Sequence, residues 1–507
     1  MARQAHDATG TVTTAVPARL DRLPWSRWHW MIVVGLGTVW ILDGLEVTVV
    51  GSIASRISEG GSGLTITDAQ VTGVAAALYV AGACTGALFF ARLTDRYGRK
   101  KLFLVTLAVY LAATAMTALS FSAWWFFLFR FLTGFGIGGE YAAINSAIDE
   151  LIPSKYRGRV DLIINGSYWL GAMGGALLSV VALNTALFPA DVGWRLAFGL
   201  GVVLGLVILL VRRNVPESPR WMLIHGRAPD AELLVDDVEY RIERERGRPV
   251  PRATATMTIH QRGTIGFGEI ARTVFRRYPR RAVLGFALFI GQAFLYNAIT
   301  FGFGSILVRF FDVPSGSTGY YFAVIALGNF LGPLLLGHLF DTWGRRPMIA
   351  GTYLLSGLLL FGTAALFGTA ALFGAGVLNA VTMSLCWCVV LFFASAGASS
   401  AYLTVSEVFP METRAMSIAF FYAIGTAAGG ITGPLVFAGL TESGVVSDAV
   451  LAFGIGAALM VASGLVAAFF AVAAEGRALE DVARPLSAVP DDDRPADGST
   501  GQQVTSR

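Results

Sequence analysis

Charged residues are scarce in this chain of 507 residues, since Asp, Glu, Lys and Arg make up 14% of it, against about 25% in a typical soluble domain. Hydrophobic residues account for 55%, and the mean hydropathy is +0.62. This composition excludes a disordered or collagen-like chain and argues against a soluble enzyme of this length. The three cysteines lie in apolar runs and are too few for a disulfide scaffold. A net charge of +4 is small for the length, so we expect no nucleic-acid partner.

Sequence motifs for chemistry are missing as well. The chain has no phosphate-binding loop, no paired-cysteine metal motif and no nucleophile elbow, and its five histidines are scattered. These absences predict that the chain is not an enzyme and uses no cofactor or metal. Energy for any work across a membrane would then come from a gradient rather than from ATP.

Long apolar stretches are what the sequence has instead. A membrane-spanning helix needs roughly 20 mostly apolar residues. Twelve stretches meet this requirement, near 28–55, 69–91, 101–121, 124–149, 160–184, 194–212, 282–308, 318–339, 347–367, 376–403, 415–440 and 447–474. The sequence therefore predicts an all-α protein that crosses the lipid bilayer twelve times.

The polar segments divide the chain into regions. Residues 1–27 have no apolar core of a signal peptide, and like residues 476–507 they are predicted to form a disordered cytoplasmic tail. Residues 213–281 are polar and contain a run of alternating charges that is typical of a surface helix. This central loop separates one half of six spans, 28–212, from a second half, 282–475.

The basic residues predict the orientation of the chain. With the N-terminus inside, only Arg56, Arg195 and Arg309 lie near the outer surface, and Arg130 lies within a span. The remaining basic residues are then cytoplasmic, so both termini are expected inside. Few of these residues are lysines, which favours a GC-rich bacterial genome and hence the cell membrane.

Two short motifs occur once in each half, each after the matching span. Asp-x-x-Gly-Arg-[Arg/Lys] follows the second span, and Glu-x-x-Pro-x-x-x-Arg follows the fourth. This recurrence is typical of parallel repeats with a solute site between them at mid-membrane. Carboxylates and arginines in these turns can hold one closed state by charge-assisted hydrogen bonds; the alternative is that the positive residues only set topology. The predicted cytoplasmic gate comprises Asp95, Arg96, Gly98, Arg99, Glu150, Arg157, Asp341, Gly344, Arg345, Glu407 and Arg414.

With these motifs the chain resembles the major facilitator superfamily over residues 28–475. The fourth span adds an Arg-x-x-x-Gly-x-Gly-x-Gly motif that begins at Arg130, and Pro-Glu-Ser-Pro-Arg-Trp (216–221) follows the sixth span. These residues are similar to the sugar porter and metabolite–proton symporter branches. The resemblance implies twelve transmembrane helices in two pseudo-symmetric six-helix halves, and a monomer. Ala91 departs from the pattern, because a glycine is usual at that position.

The charged residues Asp43, Glu46, Arg130 and Glu140 lie inside predicted spans, where a charge costs at least about 2.5–3.5 kcal/mol. Asp43 and Glu46 are three residues apart in the first span and share one helix face. Two close carboxylates repel, which favours proton uptake by one of them. Asp43-Gly-Leu-Glu46 resembles an element of aromatic-acid and related metabolite symporters, which implies proton coupling, with Arg130 as partner. Glu140 is a further proton-coupling candidate; it could instead contact solute or pair with Arg130, and a structural salt bridge is the alternative for the pair.

Polar and aromatic residues in otherwise apolar spans mark a candidate solute pocket. Amide and phenol groups suit polyhydroxyl or carboxylate ligands, and each could instead serve hydrogen bonding between helices. By resemblance, Asn165 stands where sugar porters carry a substrate-binding Gln. Gln292 and Asn297 match their seventh-span motif, whose first Gln is replaced by Gly291. The candidates are Tyr141, Asn145, Asn165, Tyr168, Trp169, Gln292, Tyr296, Asn297, Asn329 and Tyr402.

Together these observations predict a secondary active transporter that works by alternating access. Its partners are protons, the lipid bilayer and a small organic solute, which is a sugar, a polyol or an organic or aromatic acid. Proton symport into the cell is the main hypothesis. A proton-coupled efflux antiporter and a non-transporting nutrient sensor are the alternatives.

Overall fold

The computed structural model describes residues 11–58, 61–67, 70–184, 186–212, 216–253, 255–260, 267–313, 318–373, 378–410 and 413–486. Within these ranges the protein is a bundle of helices with one small two-stranded sheet. The elements in chain order are β1 (Thr11–Thr14), α1 (Val16–Asp21), α2 (Arg27–Ser58), α3 (Ala76–Tyr97), α4 (Arg99–Ala118), α5 (Ala123–Leu151), α6 (Arg157–Ala182), α7 (Ala190–Arg212), α8 (Pro219–Ile224), α9 (Ala228–Arg246), β2 (Met257–His260), α10 (Phe267–Arg272), α11 (Pro279–Phe311), α12 (Thr318–Thr342), α13 (Arg345–Phe373), α14 (Ala380–Val408), α15 (Arg414–Glu442), α16 (Val446–Phe470) and α17 (Leu479–Val482).

The twelve predicted spans are confirmed as twelve long apolar helices, α2 to α7 and α11 to α16. Ten of them are long and apolar enough to cross a membrane by length and composition. The other two, α5 and α6, carry charged and amide side chains such as Arg130, Glu140, Asp161 and Asn165, which lower their mean hydropathy. The two spans with the lowest mean hydropathy thus carry polar side chains, which are expected to face the interior of the bundle.

Glycines permit close helix packing within the first half. A Cβ atom at Gly44 on α2 would lie 1.9 Å from the backbone oxygen of Tyr168 on α6. At Gly134 and Gly138 on α5, a Cβ atom would lie 2.0 and 1.9 Å from backbone oxygens of α3. Small residues at such crossings let membrane helices approach closely. The glycine motif that follows Arg130 is therefore a packing surface for α3.

Parts of both predicted tails are ordered, contrary to expectation. β1 pairs with β2 in an antiparallel register, from Thr11 with His260 to Thr14 with Met257. Arg19 on α1 donates hydrogen bonds to the α9 carboxylates of Glu232 and Glu239, at 2.7 Å each. Such pairing across elements lets a segment of polar composition adopt a fixed structure, which composition alone does not reveal.

The C-terminal segment is held in the same way. α17 follows the last span, and Glu480 in this helix accepts a 2.9 Å hydrogen bond from Arg220 at the start of α8. Residues 1–10 and 487–507 of the predicted tails lie outside the described residues. Both described ends of the chain therefore lie on one face of the bundle, which we call the termini face.

The charged central helix buries a narrow apolar stripe. Ala231, Val235, Val238 and Ile242 of α9 are buried, and this spacing of three to four residues places them on one helical face. The remaining residues of α9 are mostly polar and carry ion pairs. The expected surface helix in the central loop thus lies within α9 and docks on the bundle through one side.

Candidate functional site

A cavity of about 250 Å³ lies at the centre of the bundle, between the two six-helix halves. Residues of α2, α3, α5 and α6 face residues of α11, α14 and α15 across it. Eight of the ten predicted solute-binding residues line this central cavity: Tyr141, Asn165, Tyr168, Trp169, Gln292, Tyr296, Asn297 and Tyr402.

The other two predicted residues lie behind the wall of the cavity. Asn145 accepts a 3.0 Å hydrogen bond from the side-chain nitrogen of Asn165. Asn329 accepts a 2.8 Å hydrogen bond from the hydroxyl of Tyr296. Both asparagines are fully buried. They position two wall residues and do not line the cavity themselves.

The amide groups of the wall have a defined orientation. The side-chain nitrogen of Asn165 donates to the carbonyl of Asp161 at 2.9 Å, and that of Asn297 donates to the carbonyl of Ala293 at 2.7 Å. A backbone carbonyl can only accept, so it fixes which end of each amide is the nitrogen. The side-chain oxygens of Asn165 and Asn297 are thereby left to accept hydrogen bonds.

Aromatic rings contribute much of the wall, and three of them, Trp40, Tyr79 and Tyr422, were not among the predicted residues. Trp40 on α2 stacks on Tyr141 with ring centroids 4.6 Å apart and an interplanar angle of 5°. Tyr422 on α15 meets the edge of Tyr141 at 4.9 Å. The internal repeat held a signal for Tyr422, because it follows Arg414 by the eight residues that separate Asn165 from Arg157.

The four charged residues predicted for proton coupling are all buried. Glu46 accepts a 2.7 Å hydrogen bond from Nη1 of Arg130 and a 3.0 Å hydrogen bond from the hydroxyl of Thr114. Arg130 also lies over the ring of Tyr79, 4.7 Å from its centroid. Arg130 lines the cavity, and Glu46 lies behind it. These two residues form a compact buried ion pair.

Asp43 has phenols rather than cations as hydrogen-bond partners. One carboxylate oxygen accepts from the hydroxyl of Tyr79 at 3.0 Å, and the other accepts from the hydroxyl of Tyr141. Both tyrosines line the cavity, whereas Asp43 itself lies one layer behind. The carboxyl is therefore connected to the cavity through two side chains that form its wall.

Glu140 has a hydrogen-bond partner on a different helix. Its Oε1 atom accepts a 3.3 Å hydrogen bond from the hydroxyl of Thr106 on α4, and the residue does not line the cavity. The ion-pair partner of Arg130 is Glu46, which favours that pairing over the Arg130–Glu140 alternative.

Gly98, Arg99 and Glu150 of the predicted gate meet in and beside the turn between α3 and α4. Arg99 donates to Glu150 at 2.9 Å, and Gly98 has a φ of 94°, a conformation that suits glycine. The backbone nitrogens of Arg99 and Lys100 donate to Glu217 at 2.8 and 3.2 Å. Burial raises the pKa of the Glu217 carboxyl.

Arg96 of the first motif does not take part in this ion pair. Arg96 is exposed, and its guanidinium lies 5.3 Å from the ring centroid of Tyr97. The side chain of Asp95 lies outside the described residues, so its predicted role stays a prediction.

The second half repeats this arrangement. Arg345 donates two hydrogen bonds to Glu407, at 2.9 and 3.0 Å, and a third to Asp341 at 2.9 Å. Gly344 has a φ of 105°, like its counterpart in the first half. All three charged groups are nearly inaccessible to solvent. The turn between α12 and α13 is thus fixed to the end of α14.

Four further contacts join the two halves at the termini face. Asp341 accepts hydrogen bonds from the backbone nitrogens of Gly158 at 3.0 Å and Arg159 at 2.8 Å. Arg157 lies 3.6 Å from Glu407, and Arg414 lies 3.7 Å from Glu150. The motif arginine of each half therefore lies beside the motif glutamate of the other half. These contacts close the termini face in this structure.

Comparison with known proteins agrees with this architecture. The chain matches the family described as "Sugar (and other) transporter" over residues 28–486. The niacin transporter NiaP of Acinetobacter baylyi is 27% identical over 83% of this chain and 89% of its own length. The putative metabolite transport protein YyaJ of Bacillus subtilis is 27% identical over 80% of this chain and 85% of its own length.

Solved structures show the same fold. The proton:xylose symporter XylE, bound to 6-bromo-6-deoxy-D-glucose, matches with a TM-score of 0.70 at 18% identity and covers 89% of this chain and 98% of its own. The family and these relatives consist of transporters, so the chain is a multi-pass membrane transporter and not an enzyme. It belongs to the sugar (and other) transporter family, and it shares its fold with a symporter of the major facilitator superfamily.

Proposed function

We propose that this transporter imports a small organic solute together with a proton, by alternating access through the central cavity. The observation that carries the proposal is the position of Asp43, a buried carboxyl whose oxygens are both bonded to tyrosines of the cavity wall. A carboxyl in this position can bind a proton and change the wall that a solute touches. The symporter XylE shares the fold, which supports the proposal without deciding it.

Asp43 is the better proton carrier of the two neighbouring carboxyls. Glu46 is held by the guanidinium of Arg130 at 2.7 Å, and an adjacent cation favours the ionised form of a carboxyl. Asp43 has only neutral hydroxyls as hydrogen-bond partners among the described residues. A proton can therefore bind to or leave the Asp43 carboxyl without breaking an ion pair.

Protonation of Asp43 changes its hydrogen bonds in a definite way. The ionised carboxylate accepts from both Tyr79 and Tyr141, whereas a protonated carboxyl needs one acceptor for its own hydrogen. One phenol must then accept instead of donate, or turn to another partner. Because Tyr141 stacks on Trp40, such a movement reaches two rings of the wall. Proton binding and solute binding are thereby coupled.

Alternating access also requires that one side of the cavity be closed, and the termini face is the closed side in this structure. We assign this face to the cytoplasm on the distribution of basic residues. Inward opening must break the contacts of Asp341 with Gly158 and Arg159 and separate Arg157 from Glu407. Solute and proton binding then have to lower the cost of that separation for transport to proceed.

The character of the wall limits the solute class. Among the described residues that line it, the only charged one is Arg130, which is paired with Glu46, and the others carry aromatic, amide, hydroxyl and aliphatic groups. Amides and hydroxyls suit sugars, polyols and the polar groups of organic acids, and aromatic rings suit the faces of ring-shaped solutes. We therefore propose a small, ring-shaped metabolite as the solute.

The test measures external pH in a lightly buffered suspension of cells that express the protein. Sugars, polyols, sugar acids and aromatic acids are added one at a time, and a transported solute is expected to raise external pH. Asp43→Asn should abolish this rise while the solute still binds. The matched control is Asp191→Asn, an exposed carboxyl at the start of α7, which should behave like the wild type.

Two results would contradict the proposal. Proton uptake that persists in Asp43→Asn would show that this carboxyl does not carry the proton. A fall in external pH when solute is added to the cells would instead indicate that solute is exchanged against protons, as in an efflux antiporter.

A further inference from the structure

A buried carboxyl that the mechanism above does not use lies between the cavity and the gate. Asp161 on α6 is fully buried, and neither of its oxygens has a hydrogen-bond partner among the described residues. It lies one helical turn from Asn165 in the cavity wall and one turn from Arg157 at the gate, about 6 Å each way. Asp161 therefore lies on α6 between a residue of the cavity wall and a residue of the gate.

Three charged groups on other helices lie close enough to Asp161 to act on its carboxyl. Asp149 on α5 and Glu407 on α14 are acidic, and Arg345 on α13 is the one cation among them. Arg345 is already bonded to Glu407 and Asp341. An ionised Asp161 would be a further negative charge, buried without a hydrogen bond beside other carboxylates. Such a charge is strongly unfavourable.

A comparison of the buried charges at this face leads to the same conclusion. Five arginines are buried there, namely Arg99, Arg157, Arg220, Arg345 and Arg414. The carboxyls that accept hydrogen bonds from these arginines or from the backbone beside them include Asp21, Glu150, Glu217, Asp341, Glu407, Glu475 and Glu480. Asp149 remains close to a cation, 3.9 Å from Nε of Arg157. Among the residues that the structure describes, the Asp161 carboxyl has neither a hydrogen bond nor an ion pair.

We infer that Asp161 is a second proton-binding site, which holds a proton while the termini face is closed and releases it when that face opens. Separation of the two halves at Gly158 and Asp341 would admit water one turn away from Asp161. The O–H bond of the carboxyl then breaks, the proton passes to water, and the hydrated carboxylate remains. This inference builds on the proposed carrier but concerns its release side rather than Asp43.

The consequence is a pH dependence of gate opening. If opening releases one proton, the ratio of open to closed molecules rises by up to about tenfold for each unit of pH on that side. Asn165 donates to the Asp161 backbone, so a shift of this turn also reaches the cavity wall. An acidic compartment on the termini side would thus hold the transporter closed.

The test follows the opening directly and needs no solute. Spin labels are placed at Lys155→Cys and Trp343→Cys, two exposed residues of opposite halves, after replacement of Cys84, Cys386 and Cys388 by Ala. Distance distributions are recorded in nanodiscs from pH 5.5 to 8.5. The long-distance fraction should increase with pH in the otherwise unchanged protein. It should stay low at every pH in Asp161→Asn, which imitates the protonated carboxyl.

Two further variants complete the design. Asp161→Glu keeps a titratable group and should keep a pH-dependent distance. Asp230→Asn removes an exposed carboxyl of α9 and should match the unchanged protein. Should Asp161→Asn not fold, Asp161→Ser provides a second neutral variant with the same expected result.

Each outcome has one meaning. A long-distance fraction that does not vary with pH, or one that varies equally in Asp161→Asn, overturns the inference. Neither result affects the role of Asp43, which is tested by solute-driven proton uptake. Conversely, if Asp43→Asn leaves solute-driven proton uptake unchanged while the distances still respond to Asp161, only the proposed symport fails.

Discussion

Replacement of Glu46 by Gln should destabilise the protein strongly, because it leaves Arg130 as a buried cation without its counter-charge. Both side chains are 2% exposed, and their atoms are 2.7 Å apart. At an effective dielectric constant of 20, Coulomb's law gives about 6 kcal/mol for charges at this distance. Removal of one partner from a buried pair typically costs about 3–5 kcal/mol, so we expect a loss in that range. Reversible unfolding by SDS in mixed micelles would measure it.

A double-mutant cycle separates the pair from general damage to the fold. Arg130→Gln should cost as much as Glu46→Gln, whereas the double variant should recover more than half of the loss, because no buried charge remains unpaired. The exposed pair of Asp237 and Arg241 on α9, 2.9 Å apart, is the control, and Asp237→Asn should cost less than about 1 kcal/mol. A loss below about 1 kcal/mol in Glu46→Gln, or strictly additive single losses, would refute the argument.

Three further predictions concern packing, the gate and the C-terminal segment. Gly44→Ala should greatly reduce the yield of folded protein, since its Cβ atom would lie 1.9 Å from the α6 backbone. Gly174→Ala is the control, because a Cβ atom there meets open space, and it should express normally. Fluorescence-detected size-exclusion chromatography compares the yields of the two variants. Arg345→Gln removes the cation that joins α13 to its carboxylate partners, and it should increase the open fraction at the termini face by at least tenfold, as measured by spin-label distances. Burial opposes the charge of Glu480, yet the Arg220 guanidinium keeps the pKa of this carboxyl below its usual value. The stability from this pair is present above the pKa of the unfolded chain and is lost as pH falls through the folded pKa, so Glu480→Gln should lower thermal stability at pH 7 but have a smaller effect near pH 4.

The sequence predicted the helices and the gate well because each has a local signature. Twelve apolar stretches of sufficient length must form helices in a bilayer, where backbone groups find no water. The repeated motifs placed Arg99 and Arg345 after matching spans, so their carboxylate partners could be sought at matching positions. The exchange of partners between Glu150 and Glu407 across the interface follows from the same two-fold relation.

Contacts between helices in the middle of the bundle could not be derived in this way. Asp43 and Glu46 share a helix face, yet only the rotation and tilt of α2 against α3 and α5 decide which of them meets Arg130. Trp40 and Tyr422 are aromatic residues in apolar spans, and such residues more often face lipid or a neighbouring helix than a cavity. Order in residues 11–22 depends on the acidic face of α9, more than 200 residues further along the chain.

α6 connects the parts of the proposed mechanism. Gly158 contributes to the gate, Asp161 lies one turn further on, and Asn165 lines the cavity. Gly171 packs directly on α2, because a Cβ atom at this position would lie 1.8 Å from the backbone oxygen of Ile41. A helix is stiff over this length, so a tilt that separates Gly158 from Asp341 must also displace Asn165. Close packing on α2 carries the same tilt to the segment that holds Asp43. Gate, solute site and proton site are therefore expected to move together, and a variant that loosens α6 from α2 should weaken the coupling before it prevents binding.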